Sequence, residues 1–299
     1  MENIENLLSP PQNFASLVSP YAELQTAKVV ILPVPYDSTT EWHSGTREGP
    51  QDIINASQYL ELYDIELDRE IYKVGIHTLP KVQPLLNSPE KMIDRVYYIA
   101  SELTKKAKFL VMFGGEHSLS LGIVRALKEQ FQNFCVLQLD AHADLRDEYL
   151  GTKYSHACVM RRILEFCPIV QVGIRSLSLE EQQFLTQNNM HPFYIATSSS
   201  VLDSTEHIIA SLSDNVYISI DLDVFDPSIM PAVGTPEPGG MQWHEVLNLL
   251  RAVTLHKRVI GFDLVELCSK EGTASCAFIA AKLAYKLIGY SVSQETNSQ

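Results

Sequence analysis

The chain has 299 residues, 45% hydrophobic and 20% charged, a balance that suits a globular protein with a full core. Asp and Glu number 36 against 23 Lys and Arg, and the resulting charge of −13 disfavours nucleic acid and anionic membranes as partners while mildly attracting cations. Five scattered cysteines (Cys135, Cys158, Cys167, Cys268, Cys276) form no Cys-x-x-Cys pair and no disulfide framework, the N-terminus reads as no signal peptide, and no apolar run is long enough to cross a bilayer; a reducing cytoplasm is the expected location.

Short aliphatic runs alternate with longer helical patterns along the chain. The predicted strands are Val29–Val34, Tyr72–Ile76, Phe109–Phe113, Phe134–Leu139, Ile169–Gly173, Val216–Leu222 and Val259–Leu264. Predicted helices include Pro50–Tyr59, Ser88–Lys106, Ser120–Gln130 and Met241–Thr254. Several strands are apolar on both faces, as parallel strands covered by helices are. The alternation predicts a three-layer α/β/α sandwich with a mainly parallel central sheet, built as a single domain. Residues 1–20 and 291–299 read as a flexible arm and a flexible tail around it.

In such sheets ligands bind beyond the carboxyl ends of the strands, and polar residues collect there in three places. Phe113 runs into Gly114-Gly115-Glu116-His117-Ser118, where the glycines permit a sharp turn and leave His117 at the rim. No Gly-Lys-Ser/Thr follows, which disfavours a phosphate loop. Leu139 runs into Asp140-Ala141-His142-Ala143-Asp144, whose three polar side chains share one side if the strand continues. Carboxylates so clustered repel one another unless a cation joins them. The third run is Ser219-Ile220-Asp221-Leu222-Asp223-Val224-Phe225-Asp226-Pro227, in which Asp221 and Asp223 are again two apart. It is no EF-hand loop, because Phe225 and Asp226 stand where such a loop needs an oxygen ligand and a glycine; Asp226-Pro227 reads as a turn start.

Two histidines and four aspartates exceed the needs of one ion, so a pair of cations bridged by shared carboxylates is inferred, about 3.5–4 Å apart and able to supply a nucleophile at neutral pH. A donor set rich in oxygen and free of cysteine favours Mn²⁺ over Zn²⁺.

These three motifs, in this order, resemble the ureohydrolase family of arginases and agmatinases. The likeness extends from about Ser44 to Tyr290, with supporting matches at Ser44–Pro50, Gly234–Gly240 and Asp263–Glu266. By position, the resemblance implies one manganese ion held by His117, Asp140, Asp144 and Asp221. A second would take His142, Asp140, Asp221 and Asp223, with Asp140 and Asp221 bridging. It also implies proton transfer by His156 and pairing of Glu266 with the substrate guanidinium, roles that suit an imidazole and a carboxylate. Leu145–Tyr154 lacks the Thr-Ser-Gly-Asn run with which arginases hold a substrate carboxylate. Gly173-Ile174-Arg175 is followed by Ser176-Leu177-Ser178, with acids only at Glu180 and Glu181, rather than directly by acids for an α-amino group. Agmatine, hydrolysed to putrescine and urea in polyamine biosynthesis, is therefore the expected substrate, and a trimer or hexamer the implied assembly.

Other guanidino acids, arginine and guanidine share the same chemistry. Leu267–Gly272 departs from the Pro and acidic-aromatic segment common in relatives, which bears on the substrate pocket. A deacetylase-like zinc enzyme would need the paired His-His that this chain lacks. A non-catalytic binding protein would be marked by a lost ligand, yet all eight positions are filled.

Overall fold

The computed structural model describes residues 9–195 and 204–292. Nine strands occur among them: β1 Val29–Pro33, β2 Tyr63–Asp64, β3 Arg69–Glu70, β4 Ile76–Thr78, β5 Phe109–Phe113, β6 Cys135–Leu139, β7 Ile169–Val172, β8 Asn215–Asp221 and β9 Arg258–Val265. Strands β2 and β3 form a small antiparallel ribbon. The other seven make one parallel sheet in the order β4-β1-β5-β9-β8-β6-β7.

The helices are α1 Gly49–Ser57, α2 Pro89–Thr104, α3 Ser120–Gln130, α4 Val159–Ile163, α5 Leu179–Gln187, α6 Thr205–Ser211, α7 Trp243–His256 and α8 Ala274–Val292. Alternation along the buried strands sends side chains to two cores. Val29, Ile31, Val111, Phe113, Ile218 and Ile220 pack with α1, α7 and α8, whereas Val30, Leu32, Leu110, Met112 and Val136 pack with α2, α3 and α4. This is the three-layer α/β/α sandwich read from the sequence. No helix of the described residues is long and apolar enough to cross a membrane.

The chain passes from β5 over to β6, and β8 and β9 later fill the space between them, so four adjacent strands meet around a crossover point. Their register is common: Phe113 lies beside Leu264, Leu264 beside Ile220, and Ile220 beside Leu139. The residues that follow in each strand therefore leave the sheet at one level.

Three expectations need correction. The strand expected at Tyr72–Ile76 is a 3-10 turn, Ile71–Val74, and the strand starts only at Ile76. Gly75 between them has φ +78, and a Cβ there would stand 2.7 Å from Ala27 Cα, so a tight turn against the neighbouring chain replaces extended pairing. The expected arm 1–20 is not free over its described part. Phe14, Ala15 and Leu17 are buried, with the Phe14 ring 5.6 Å from that of Phe113 and 6.5 Å from that of Tyr285. Its backbone is tied as well: Phe14 N–H donates to Thr78 Oγ1 at 3.0 Å and Ala15 N–H to Ser57 Oγ at 2.8 Å. Ser291 and Val292, assigned to the tail, are the buried last residues of α8; residues 1–8 and 293–299 lie outside the described residues.

Replacing Phe14 with Ala should cost about 3–5 kcal/mol of stability, the range for deleting a buried ring. Urea unfolding measures it, and an unchanged midpoint would mean that the arm is not part of the core.

Candidate active site

All six expected metal-binding side chains gather at the carboxyl ends of β5, β6 and β8, Asp221 as the last residue of β8 and the others after the strands. His117 follows β5 in a 3-10 turn over His117–Leu119. Gly115, just before it, approaches the chain after β1 so closely that a Cβ would lie 1.8 Å from Tyr36 O. Only a glycine lets the backbone pass there, and the crossing drives the His117 ring under the sheet ends, where it is fully buried.

Strand β6 stops at Leu139, and the three polar residues after it diverge instead of sharing one strand side. Asp140 and Asp144 both turn toward His117, each with an oxygen 3.1 Å from its Nδ1. Asp144 reaches it through a left-handed backbone, φ +54, a conformation that Asp tolerates better than most residues. His142 points elsewhere, its Nδ1 2.8 Å from Asp223 Oδ2. The same division occurs after β8. Asp221 caps the turn Leu222–Val224 by accepting Asp223 N–H at 2.9 Å, and its other oxygen lies 3.5 Å from His117 Nδ1. Two overlapping groups result, His117 with Asp140 and Asp221, and Asp140 with His142 and Asp223, and within each group the ligand atoms lie within 4.8 Å of one another.

The donor set fits cations rather than a hydrogen-bonded cluster. His117 Nδ1 is buried and has no hydrogen-bond partner, although three carboxylate oxygens surround it. Its other nitrogen fixes the direction of the ring. Ser219 Oγ donates to Asp263 Oδ1 at 2.8 Å, and Asp263 also accepts the Tyr217 hydroxyl at 2.6 Å. With its proton so committed, Ser219 accepts from His117 Nε2–H at 2.9 Å, so Nδ1 is the nitrogen aimed among the carboxylates. Burial would lower this ring, but Asp140, Asp144 and Asp221 raise it well above its ordinary value, and a cation would take the place of the proton they hold on Nδ1.

The ionisation pattern agrees. Burial, then Asp223 and Asp144, push Asp140 up to about 7, and burial with the Asp223 and Asp140 charges raises Asp221 well above the carboxylate range. Burial would lower His142, but Asp223 and Asp140 outweigh it and raise the ring to about 11; burial would likewise raise Asp223, but His142 holds it down at about 2. So many buried carboxylates demand positive charge, and in the cation-free chain protons on these groups supply it.

Glu266 follows β9 with φ +64, a strained setting for a Glu. The backbone is fixed by Glu266 N–H donating to Gly115 O at 2.8 Å, and Oε1 accepts His117 N–H at 2.7 Å. Burial above all, with Glu116 nearby, pushes this carboxyl well up, so a cation beside it would restore its charge. Glu266, His142, His156, Asp221 and Asp223 line one cavity of about 270 Å³. Its outer lip carries Glu41, Trp42 and Tyr149; Trp42 is 76% exposed, and the Tyr149 hydroxyl donates to Glu41.

The loop bearing that lip is held from below by Asp37, which is buried and accepts from Gly45 N–H at 2.7 Å and from the Arg47 guanidinium. His156 opens a 3-10 turn capped by Ser155, and its Nδ1 lies 3.2 Å from Thr39 Oγ1. Glu181 also lines the cavity, while closing the capping box of α5 with Ser178 and accepting Leu145 N–H at 2.9 Å.

Ser219 and Asp263 fall within motifs read from the sequence, but neither they nor Gln138 and Gln171 were given a role in the site there. Each is a polar residue inside an otherwise apolar strand, a visible signal, since such a group must find a partner. Gln138 Nε2 donates to Asp140 Oδ2 at 2.7 Å, and Gln171 Nε2 holds Gln138 Oε1 at 2.6 Å.

Comparison with known proteins gives a consistent result. The family model described as "Arginase family" matches residues 27–289. The N(1)-aminopropylagmatine ureohydrolase of Synechocystis is 37% identical over 97% of both chains. The agmatinase of Pyrococcus horikoshii is 34% identical over 91% of this chain and 95% of its own. Among solved structures, the agmatine ureohydrolase of Thermoplasma volcanium superposes with a TM-score of 0.88 at 30% identity, covering 99% of each chain.

Cation binding should depend on pH with a definite sign. In the folded chain Asp140 keeps its proton to about 7, whereas unfolded it releases it near 3.8. The folded state thus binds more protons in that window, and cation-free stability falls as pH rises through it. Cations displace the proton, so the gain in Tm on adding Mn²⁺ should grow between about pH 5 and 8. Melting curves of chelator-treated and Mn²⁺-loaded protein test this; a gain independent of pH would contradict it.

Proposed function

The chain belongs to the arginase family, and from that premise we propose that this ureohydrolase releases urea from an agmatine-type substrate, a guanidinium on an aliphatic chain ending in amines. The observation that carries the reading is the buried Nδ1 of His117, without a hydrogen-bond partner among three carboxylates, beside a second His-carboxylate group that shares Asp140.

In this reading His117, Asp140, Asp144 and Asp221 would hold one divalent cation, and His142, Asp140, Asp221 and Asp223 the other. Manganese is favoured by the oxygen-rich donors and by the absence of cysteine from both groups. Such a pair supplies a nucleophilic oxygen from water at neutral pH. Glu266, presented at the cavity floor with one oxygen held by His117 N–H, offers its other oxygen to the planar guanidinium and orients the carbon to be attacked. His156, on the cavity wall, delivers a proton to the departing amine. Water is consumed, one C–N bond breaks, and urea and an amine leave.

The tail of the substrate is read at the lip. The exposed Trp42 ring and the Glu41 carboxylate are suited to a cationic chain, while the Tyr149 ring carries the Arg146 guanidinium 4.9 Å from its centroid and bonds Glu41 through its hydroxyl. Agmatine is the substrate expected from the sequence. The 37% identical relative named for N(1)-aminopropylagmatine favours the longer substrate, which would leave as spermidine and urea. We adopt the longer substrate as the primary reading and agmatine as the second.

A urea-release assay with Mn²⁺ over N(1)-aminopropylagmatine, agmatine, guanidinobutyrate and arginine tests this. The longer amine should have the highest kcat/KM; preference for agmatine would shift the reading to the second substrate, and preference for either carboxylate-bearing compound would overturn both. Asp221→Asn should lose bound metal and at least about 100-fold in urea release, because it removes a bridging charge. Full metal content and normal turnover in that variant would remove Asp221 from the centre.

A further inference from the structure

Glu116 stands between the two glycines and His117, yet its side chain is directed away from the metal-binding groups. It is fully buried and accepts four hydrogen bonds: from Ser38 N–H at 2.5 Å, Thr39 N–H at 2.7 Å, Thr39 Oγ1 at 2.8 Å and Ser118 Oγ at 2.5 Å. Two of the four come from Thr39, the residue that touches His156 twice. His156 N–H donates to Thr39 Oγ1 at 3.1 Å, and His156 Nδ1 lies 3.2 Å from the same oxygen.

A threonine hydroxyl has one proton and two lone pairs. The proton faces the Glu116 carboxylate over the shortest of the three distances, a charge-assisted bond. One lone pair takes His156 N–H, so the other can only accept, and the proton on the imidazole must be on Nδ1. The competing partner is Ser155 Oγ, which accepts Ala157 N–H at 3.2 Å and could turn its own proton to Nδ1 only across 3.4 Å, the longer and weaker contact. The Tyr149 and His156 rings pack at right angles, with centroids 6.0 Å apart. Nε2 makes no hydrogen bond among the described residues and is the nitrogen left for exchange in the cavity.

We infer that Glu116, acting through Thr39, is a positioning residue that fixes the tautomer and orientation of His156 so that Nε2 is the nitrogen that carries the transferred proton. The inference rests on the proton-transfer role given to His156 above. Its physical content is separate: a buried carboxylate sets the direction of one hydroxyl proton, and that hydroxyl sets the imidazole. Both anchors come from sequence-distant segments, residues 38–39 from the loop after β1 and residue 116 from the turn after β5, so the arrangement also joins the lip of the cavity to the metal-bearing turn.

Thr39→Val keeps the shape and removes the hydroxyl, Thr39→Ser restores it, and Glu116→Gln removes the charge while keeping acceptor capacity. Nitrogen NMR of histidine-labelled protein reads the tautomer without requiring activity. The Nδ1–H form of His156 should dominate in the parent and in Thr39→Ser and give way to a mixture in Thr39→Val and Glu116→Gln. With Mn²⁺ and substrate, kcat in Thr39→Val should fall about tenfold to a hundredfold with KM nearly unchanged, and Thr39→Ser should recover most of it. An unchanged tautomer and unchanged kcat in Thr39→Val would overturn the inference, as would a Thr39→Ser variant as impaired as Thr39→Val. If the parent releases no urea from any guanidino compound, the functional reading fails, while the tautomer measurement still decides this one.

Discussion

Four carboxylates and two imidazoles meet in a volume from which water is largely excluded, and nearly every other feature of the site follows from supporting that costly arrangement. Asp140, Asp144 and Asp221 crowd one ring nitrogen of His117, and Asp223 sits against His142. Isolated charges of one sign in such surroundings cannot all persist. The raised Asp140 and Asp221 and the raised histidines express the same deficit of positive charge from two sides. A pair of divalent cations would meet it.

The fold prepares this concentration by geometry. A parallel sheet ends all its strands at one edge, and the common register of Phe113, Leu264, Ile220 and Leu139 delivers four chain segments to one level there. Supporting residues then rise from inside the sheet: Gln138 steadies Asp140, Ser219 and Asp263 set the His117 tautomer, and Glu116 reaches back to the lip. Local strain is accepted at the same edge, where Asp144 and Glu266 both adopt left-handed backbone. Each is held there by contacts it could not make from an extended conformation.

The lip is a distinct layer of the site. Asp37 and Arg47 pin its loop, and Glu41, Trp42 and Tyr149 form its outer surface. In the proposed function the floor performs chemistry common to guanidinium hydrolysis, and discrimination among substrates would fall to this surface. The Glu41 carboxylate with the exposed Trp42 ring is chemically suited to an amine-bearing tail. Glu181, which follows Arg175, lines the cavity too and is fixed there by capping α5 and by Leu145 N–H.

Much of this was legible in the residue order. Strands apolar on both faces announced a covered parallel sheet, and Asp140, His142, Asp144, Asp221 and Asp223 stood at the ends of two of them, a placement with a chemical meaning before any coordinates. What residue order could not decide is which carboxylate faces which histidine. The two-residue spacing suggested shared sides, but β6 and β8 end before those pairs are complete, and the turns that follow send Asp140 to His117 and His142 to Asp223. The anchoring of Phe14 between Phe113 and Tyr285 and the alliance of Glu116 with Thr39 were equally out of reach. Spacing along a chain reports local direction, whereas these contacts join segments dozens to hundreds of residues apart, and only the packing of the whole sheet brings them within a hydrogen bond.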